Sequence, residues 1–112
     1  MSELSKHIME NCRLQREPIY FTPVIYDELL EICGTNNASD ITVQTNQEVF
    51  AEIHGKMYRV NTRKLTSQEV TDLANYIYGP NASALIASGK DIDTNHVIKK
   101  DNKIKFRFRV NI

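Results

Sequence analysis

The chain is expected to fold as an α+β domain, an antiparallel sheet with helices packed on one face. Three observations carry that expectation. The closing segment, Lys103 to Ile112, alternates without a break. Ile104, Phe106, Phe108, Val110 and Ile112 fall on one side, and Lys103, Lys105, Arg107, Arg109 and Asn111 on the other, the period of a half-buried strand. Two runs, after Thr22 and after Thr66, join helical apolar spacing to N-cap signals. Between them, short apolar stretches are parted by turn residues, as in a meander. At 112 residues, 41% hydrophobic and 25% charged, this is one ordinary globular domain, long enough to bury a core without staples.

Residues 1–20 are mixed and polar, without sustained periodicity, and read as a flexible N-terminal arm; the domain itself is read over residues 21–112. Pro18 and Pro23 bracket Ile19-Tyr20-Phe21, a short apolar stretch expected to dock on the domain. The first helix takes Thr22 as N-cap and Pro23 at its first position, where the missing N–H costs nothing. Ile25, Leu29, Ile32 and Cys33 form its apolar stripe, and Gly34, or else Asn36 or Asn37, supplies a left-handed cap. Ile41–Thr45, Val49–Ile53 and Met57–Val60 follow as three strands joined by tight turns. Thr66-Ser67-Gln68-Glu69 matches the capping box, in which the hydroxyl takes the third N–H and the carboxylate reaches back. Val70, Leu73, Ala74 and Ile77 continue that second helix until Gly79-Pro80 stops it. A short third helix runs from Ala82 to Ser88, and a hairpin of Asp91–Ile98 and Lys103–Ile112 closes the chain. Leu29, Ile41, Val43, Leu73, Ile77, Phe106 and Phe108 are the expected deep core. A strand face running to the last residue, without turn or cap, reads as a piece of a longer protein.

Several classes of function are disfavoured. No apolar run approaches the ~18 residues of a membrane span, and residues 1–12 contain no apolar core of a signal peptide. Acids and bases number 14 each, so no global field draws the protein to nucleic acid. Cys12 and Cys33 lack metal-ligand spacing, and reduced thiols in the cytoplasm are the expectation. A P-loop needs glycines to open backbone N–H groups to phosphate and a hydroxyl for Mg²⁺. Here Gly89-Lys90 is followed by Asp91, and Ala84 stands where the first glycine belongs. No G-x-G-x-x-G occurs either, so the chain alone is expected neither to bind ATP tightly nor to hydrolyse it, and it carries no catalytic residue. His7, His54 and His96 are scattered, which leaves no metal site. Asp91 and Asp93 could share acid–base work or a cation, but a solvated strand edge is the commoner explanation of such a pair.

The strongest functional signal is the last strand. Lys103, Lys105, Arg107 and Arg109 at two-residue spacing make a cationic stripe roughly 20 Å long. Arginine there can grip phosphate through two N–H groups. The plainer reading is a solvated outer face whose charges block edge pairing. Single-strand nucleic-acid binding is the weaker rival, because Phe106 and Phe108 lie on the opposite face and cannot interleave with the bases.

Four stretches together resemble a known family: Ala38-Ser39-Asp40-Ile41, the hairpin from Glu52 to Val60, Tyr78-Gly79-Pro80-Asn81, and Arg107-Phe108-Arg109-Val110-Asn111. In order and spacing they are similar to the N-terminal domain of the secretion and pilus-retraction ATPases, closest to the DotB/TraJ branch of type IV secretion and conjugation. The resemblance covers Phe21 to Ile112 and implies a PAS-like sheet preceding a RecA-like ATPase domain. It implies a cytoplasmic homohexamer beneath the inner-membrane secretion machinery, each N-terminal domain packing on a neighbouring subunit's motor domain. ATP and Mg²⁺ belong to that parent protein, and the resemblance implies that Arg107 and Arg109 contact nucleotide phosphates there. No direct contact with nucleic acid is implied. A free-standing PAS-like ligand or sensor domain is the alternative.

Overall fold

The computed structural model describes residues 2–112; Met1, at the start of the expected arm, lies outside the described residues. Its elements are α1 (Glu3–Asn11), α2 (Pro23–Thr35), β1 (Ala38–Thr42), β2 (Phe50–Ile53), β3 (Lys56–Arg59), α3 (Ser67–Ile77), α4 (Ala82–Ala87), β4 (Asp93–Lys100) and β5 (Lys103–Asn111). The α+β expectation holds, with one change. The five strands lie in the order β3-β2-β1-β5-β4, and β1 pairs with β5 in parallel while the other three pairings are antiparallel. The sheet is therefore mixed. The α3–α4 connection carries the chain to the far edge as β4, and a tight hairpin then inserts β5 beside β1, running the same way.

Inward residues of every strand meet the helices in one core. Ile41 and Val110 from the centre, Ala51 and Tyr58 from β2 and β3, and Phe108 from β5 cluster with Ile8, Leu29, Cys33 and Leu73. One sheet face is thus covered by helices and the other is open. Of the expected core, Leu29, Ile41, Val43, Leu73 and Phe108 are buried, whereas Ile77 and Phe106 are only partly so.

The arm is corrected over its first half. Glu3–Asn11 is a helix whose N-cap Ser2 accepts from the Ser5 N–H, and Ser5, Ile8 and Cys12 are buried. A nine-residue helix is marginal in water, so packing sustains it: Ile8 enters the core, and the Ser5 hydroxyl lies 2.9 Å from that of Tyr58 on β3. Of the apolar stretch Ile19-Tyr20-Phe21, Phe21 alone is fully buried, while Ile19 is 97% exposed.

α2 runs past Gly34, and the left-handed residue is Asn37, at φ 69°. Gly34 serves a different purpose: a Cβ built on it would sit 2.5 Å from the Phe106 ring. The absent side chain lets α2 approach β5. Gly34→Ala would gain about 1 kcal/mol in helix propensity but must displace the ring at about 1–3 kcal/mol. The expected result in urea denaturation is a net loss of about 1 kcal/mol; a gain in stability would show that the ring moves aside freely.

Candidate phosphate-contact face

β5 lies between β1 and β4, with its buried side chains Phe108 and Val110 on the helix-covered face. Arg107 and Arg109 alternate with them and so project from the open face, about 7 Å apart along the strand. The stripe of four cations does not survive intact. Ile98 pairs with Phe106 but Lys99 pairs with Ile104, so Lys105 is an extra residue opposite no partner, a β-bulge that re-aims its neighbours. Ile104, on the apolar side of the alternation, is 51% exposed. Lys105 turns to α2, donating from Nζ to Glu31 Oε1 at 2.7 Å, and sits 5.4 Å from the Phe106 ring centroid. Its charge, first through that hydrogen bond, holds the Glu31 carboxyl below the usual range. Lys103 stands at the hairpin end opposite Lys100.

The two arginines differ. Arg109 donates to Asp93, from Nε at 3.3 Å and from Nη2 at 2.9 Å, and by that hydrogen bond lowers the Asp93 pKa. Both partners are more than half exposed, so the pair is worth little and exchanges readily for another anion. Asp40 of β1, level with Arg109, adds a second nearby carboxylate. Arg107 is exposed and, among the described residues, joins no ion pair. The face can therefore offer one unengaged guanidinium and one lightly held. Asp93 lies half exposed on the edge strand β4, in keeping with a solvated strand edge, and is the counter-ion of Arg109.

Two further constellations escaped the sequence reading. His96 of β4 donates from Nε2 to Asp27 Oδ1 of α2 at 2.8 Å, and the Tyr76 hydroxyl of α3 donates to Asp27 Oδ2. The His96 ring also packs on Tyr26 and Tyr76, at 6.1 and 5.4 Å between centroids. Burial, then the bond to Asp27, pushes the Tyr76 hydroxyl up to about 12. This cluster ties β4 to two helices. The second is Cys12 with Cys33, two free thiols buried in the core; the neighbouring Cys12 thiol, then burial, raises the Cys33 thiol well above its usual range. The i,i+3,i+7 spacing of Ser5, Ile8 and Cys12 was the available signal that Cys12 lies on a buried helix face. Among the described residues, no group of three His, Cys, Asp or Glu side chains able to hold a metal occurs, and no helix is long and apolar enough to cross a membrane.

No protein-family model matches the chain, and no curated protein matches it. Among solved structures, the X-ray structure of the Legionella pneumophila ATPase DotB is 44% identical over 88% of this chain, with a TM-score of 0.76. The X-ray structure of the Yersinia pseudotuberculosis ATPase DotB covers 86% of this chain at 23% identity and a TM-score of 0.69, a likeness of fold alone. The chain spans 27% of the length of each of these two proteins.

Proposed function

We propose, starting from a chain that is a relative of the DotB-type secretion ATPases and corresponds to their N-terminal domain, that it serves as the nucleotide-facing regulatory module of such a motor. The carrying observation is the 44% identity over 88% of the chain. In this reading the open face of the sheet closes over ATP bound by an adjoining ATPase domain of a homohexamer. Arg107 meets the phosphates directly, and Arg109 joins by leaving Asp93. Cations aimed at developing phosphate charge are the main way proteins assist phosphoryl transfer, and a planar guanidinium stays charged at any working pH. ATP and Mg²⁺ would be held by the motor domain, since this chain has no P-loop. Its station would be the cytoplasmic side of the inner-membrane secretion machinery, where domain closure passes on the work of hydrolysis.

The test is a chimera in which this chain replaces the matching segment of Legionella pneumophila DotB. The chimera is expected to hydrolyse ATP. Arg107→Ala with Arg109→Ala should lower its turnover at least about tenfold, or ~1.4 kcal/mol. Melting temperature should barely move, because exposed strand charges contribute under ~0.5 kcal/mol. Arg→Lys keeps the charge but loses the fork, so rescue should be partial. Unchanged turnover in the double alanine variant would reduce the two arginines to a solvated face.

A further inference from the structure

β3 ends the sheet, and its outer edge is open. β2 and β3 are joined by the two-residue turn His54-Gly55, both at positive φ (51° and 79°), which fixes the register. The Val60 N–H donates to the Val49 carbonyl, which marks those two as a bonded pair. Bonded and non-bonded pairs alternate along an antiparallel ladder, so Tyr58 and Lys56 also bond inward. Met57 and Arg59 therefore turn their N–H and C=O groups outward. No hydrogen bond from elsewhere in the described residues reaches those groups.

A groove of about 730 Å³ runs along this edge. Its walls include Met9 on α1, Arg13 just after that helix, and Phe50, Lys56, Met57 and Arg59 from the hairpin, with Glu48 as the one carboxylate. Met57 is 53% exposed and Met9 42%. Arg13, Lys56 and Arg59 join no ion pair among the described residues. The groove thus combines unpaired strand groups, exposed thioethers and a net positive wall.

We propose that the open edge of β3 docks an extended acidic peptide segment of a partner protein, which adds to the sheet as a further strand. Three occupants compete for such an edge, and the chemistry separates them. A second copy would set Lys56 and Arg59 against themselves, and like charges opposed across strands are destabilising. A nucleic-acid backbone would suit the cations, but its phosphates only accept hydrogen bonds, and the outward carbonyls of Met57 and Arg59 need donors. An extended peptide supplies donors and acceptors alternately, and acidic side chains on it meet all three cations. The inference is independent of the nucleotide-facing role of β5, which uses a different strand.

The probe is a displayed library of random dodecapeptides panned on the whole chain. Enriched sequences should be rich in Asp and Glu and poor in Lys and Arg. The best of them, synthesised, should bind the Arg13→Glu/Arg59→Glu double variant at least tenfold more weakly than the native chain. Its binding should slow hydrogen exchange at the Met57 and Arg59 amides, and N-methylation of alternate peptide amides should abolish it. Should the double variant melt several degrees lower, Lys56→Glu alone carries the same comparison. Failure to enrich acidic peptides, equal binding by the charge-reversed variants, or exchange protection that spares β3 would each overturn the proposal. So would tighter binding of a 20-nucleotide oligothymidylate in the same groove.

Discussion

Glu69→Ala is expected to cost about 3–5 kcal/mol, the range for breaking a buried ion pair by removing one partner. The Glu69 side chain is 1% exposed and that of Arg63 30%. Oε1 accepts from the Thr66 N–H at 2.9 Å, the Thr66 hydroxyl at 3.1 Å and Arg63 Nη1 at 2.8 Å. Oε2 accepts from the Phe21 N–H at 2.7 Å and Arg63 Nη2 at 2.6 Å. Alanine would leave two backbone donors without an acceptor and the Arg63 guanidinium without its carboxylate, with only the Pro18 and Lys64 carbonyls to accept from it, and it would also remove half of the capping box of α3. Thr66→Ala removes only the other half and should cost about 1 kcal/mol. The gap between these two values measures what the Phe21 N–H and the Arg63 guanidinium contribute by meeting Glu69. Equal losses would mean that Glu69 is a cap and nothing more.

The same carboxylate makes the fold acid-sensitive. Burial pushes the Glu69 carboxyl up, but Arg63, the Thr66 and Phe21 N–H groups and the Thr66 hydroxyl outweigh it and hold it at about 2, against an ordinary 4.5. A carboxyl whose pKa is depressed on folding contributes stability that is present above its unfolded value and lost as pH falls through its folded value. The loss should fall between about pH 4.5 and 2. Glu69→Gln should be less stable at neutral pH and show a flatter stability profile across that window. Urea denaturation of both proteins at several pH values reads the difference; parallel profiles would contradict it.

Glu69 also shows what a sequence can and cannot disclose. Its bond to Thr66 spans three residues and follows from the capping box, whereas Phe21 lies 48 positions away and reaches Glu69 only through the folded chain. The helix stripes, the hairpins and the burial of Phe108 were legible because each rests on local periodicity. α1 was missed because nine residues with two buried positions give a weak period, and the packing that sustains the helix is tertiary. The bulge at Lys105 was missed for the opposite reason. Ile104-Lys105-Phe106 continues the alternation faithfully, yet pairing with β4 gains a residue there, so the pattern assigns Ile104 to the core and Lys105 to the open face. Arg107 and Arg109 lie beyond the bulge and keep the face the alternation gave them. The pairing of Arg109 with Asp93 joins two strands across a hairpin whose register only the fold sets.

Phe108→Ala should be comparably severe, at about 3–5 kcal/mol. The side chain is 1% exposed, in a core shared with Leu29, Ile41 and Val110, and its ring packs on Phe106 at 6.1 Å between centroids. β5 is flanked by β1 and β4, so a cavity beneath Phe108 opens under an interior strand held on both sides, where the surroundings collapse less readily than at an edge. At about 4 °C or more per kcal/mol for a domain of this size, the melting temperature should fall by roughly 12–20 °C. Phe108→Leu refills most of the volume and should cost under about 1.5 kcal/mol, which keeps the comparison measurable if the alanine variant does not fold. Phe108 sits between Arg107 and Arg109 and points the other way, so it also fixes the strand that presents them. In the DotB chimera, Phe108→Leu at a temperature where it remains folded should leave ATP turnover within about twofold, while Arg107→Ala/Arg109→Ala lowers it at unchanged stability. If Arg107→Ala/Arg109→Ala lowers the melting temperature as far as Phe108→Leu does, and turnover with it, the arginines act by holding the strand and not by meeting phosphate.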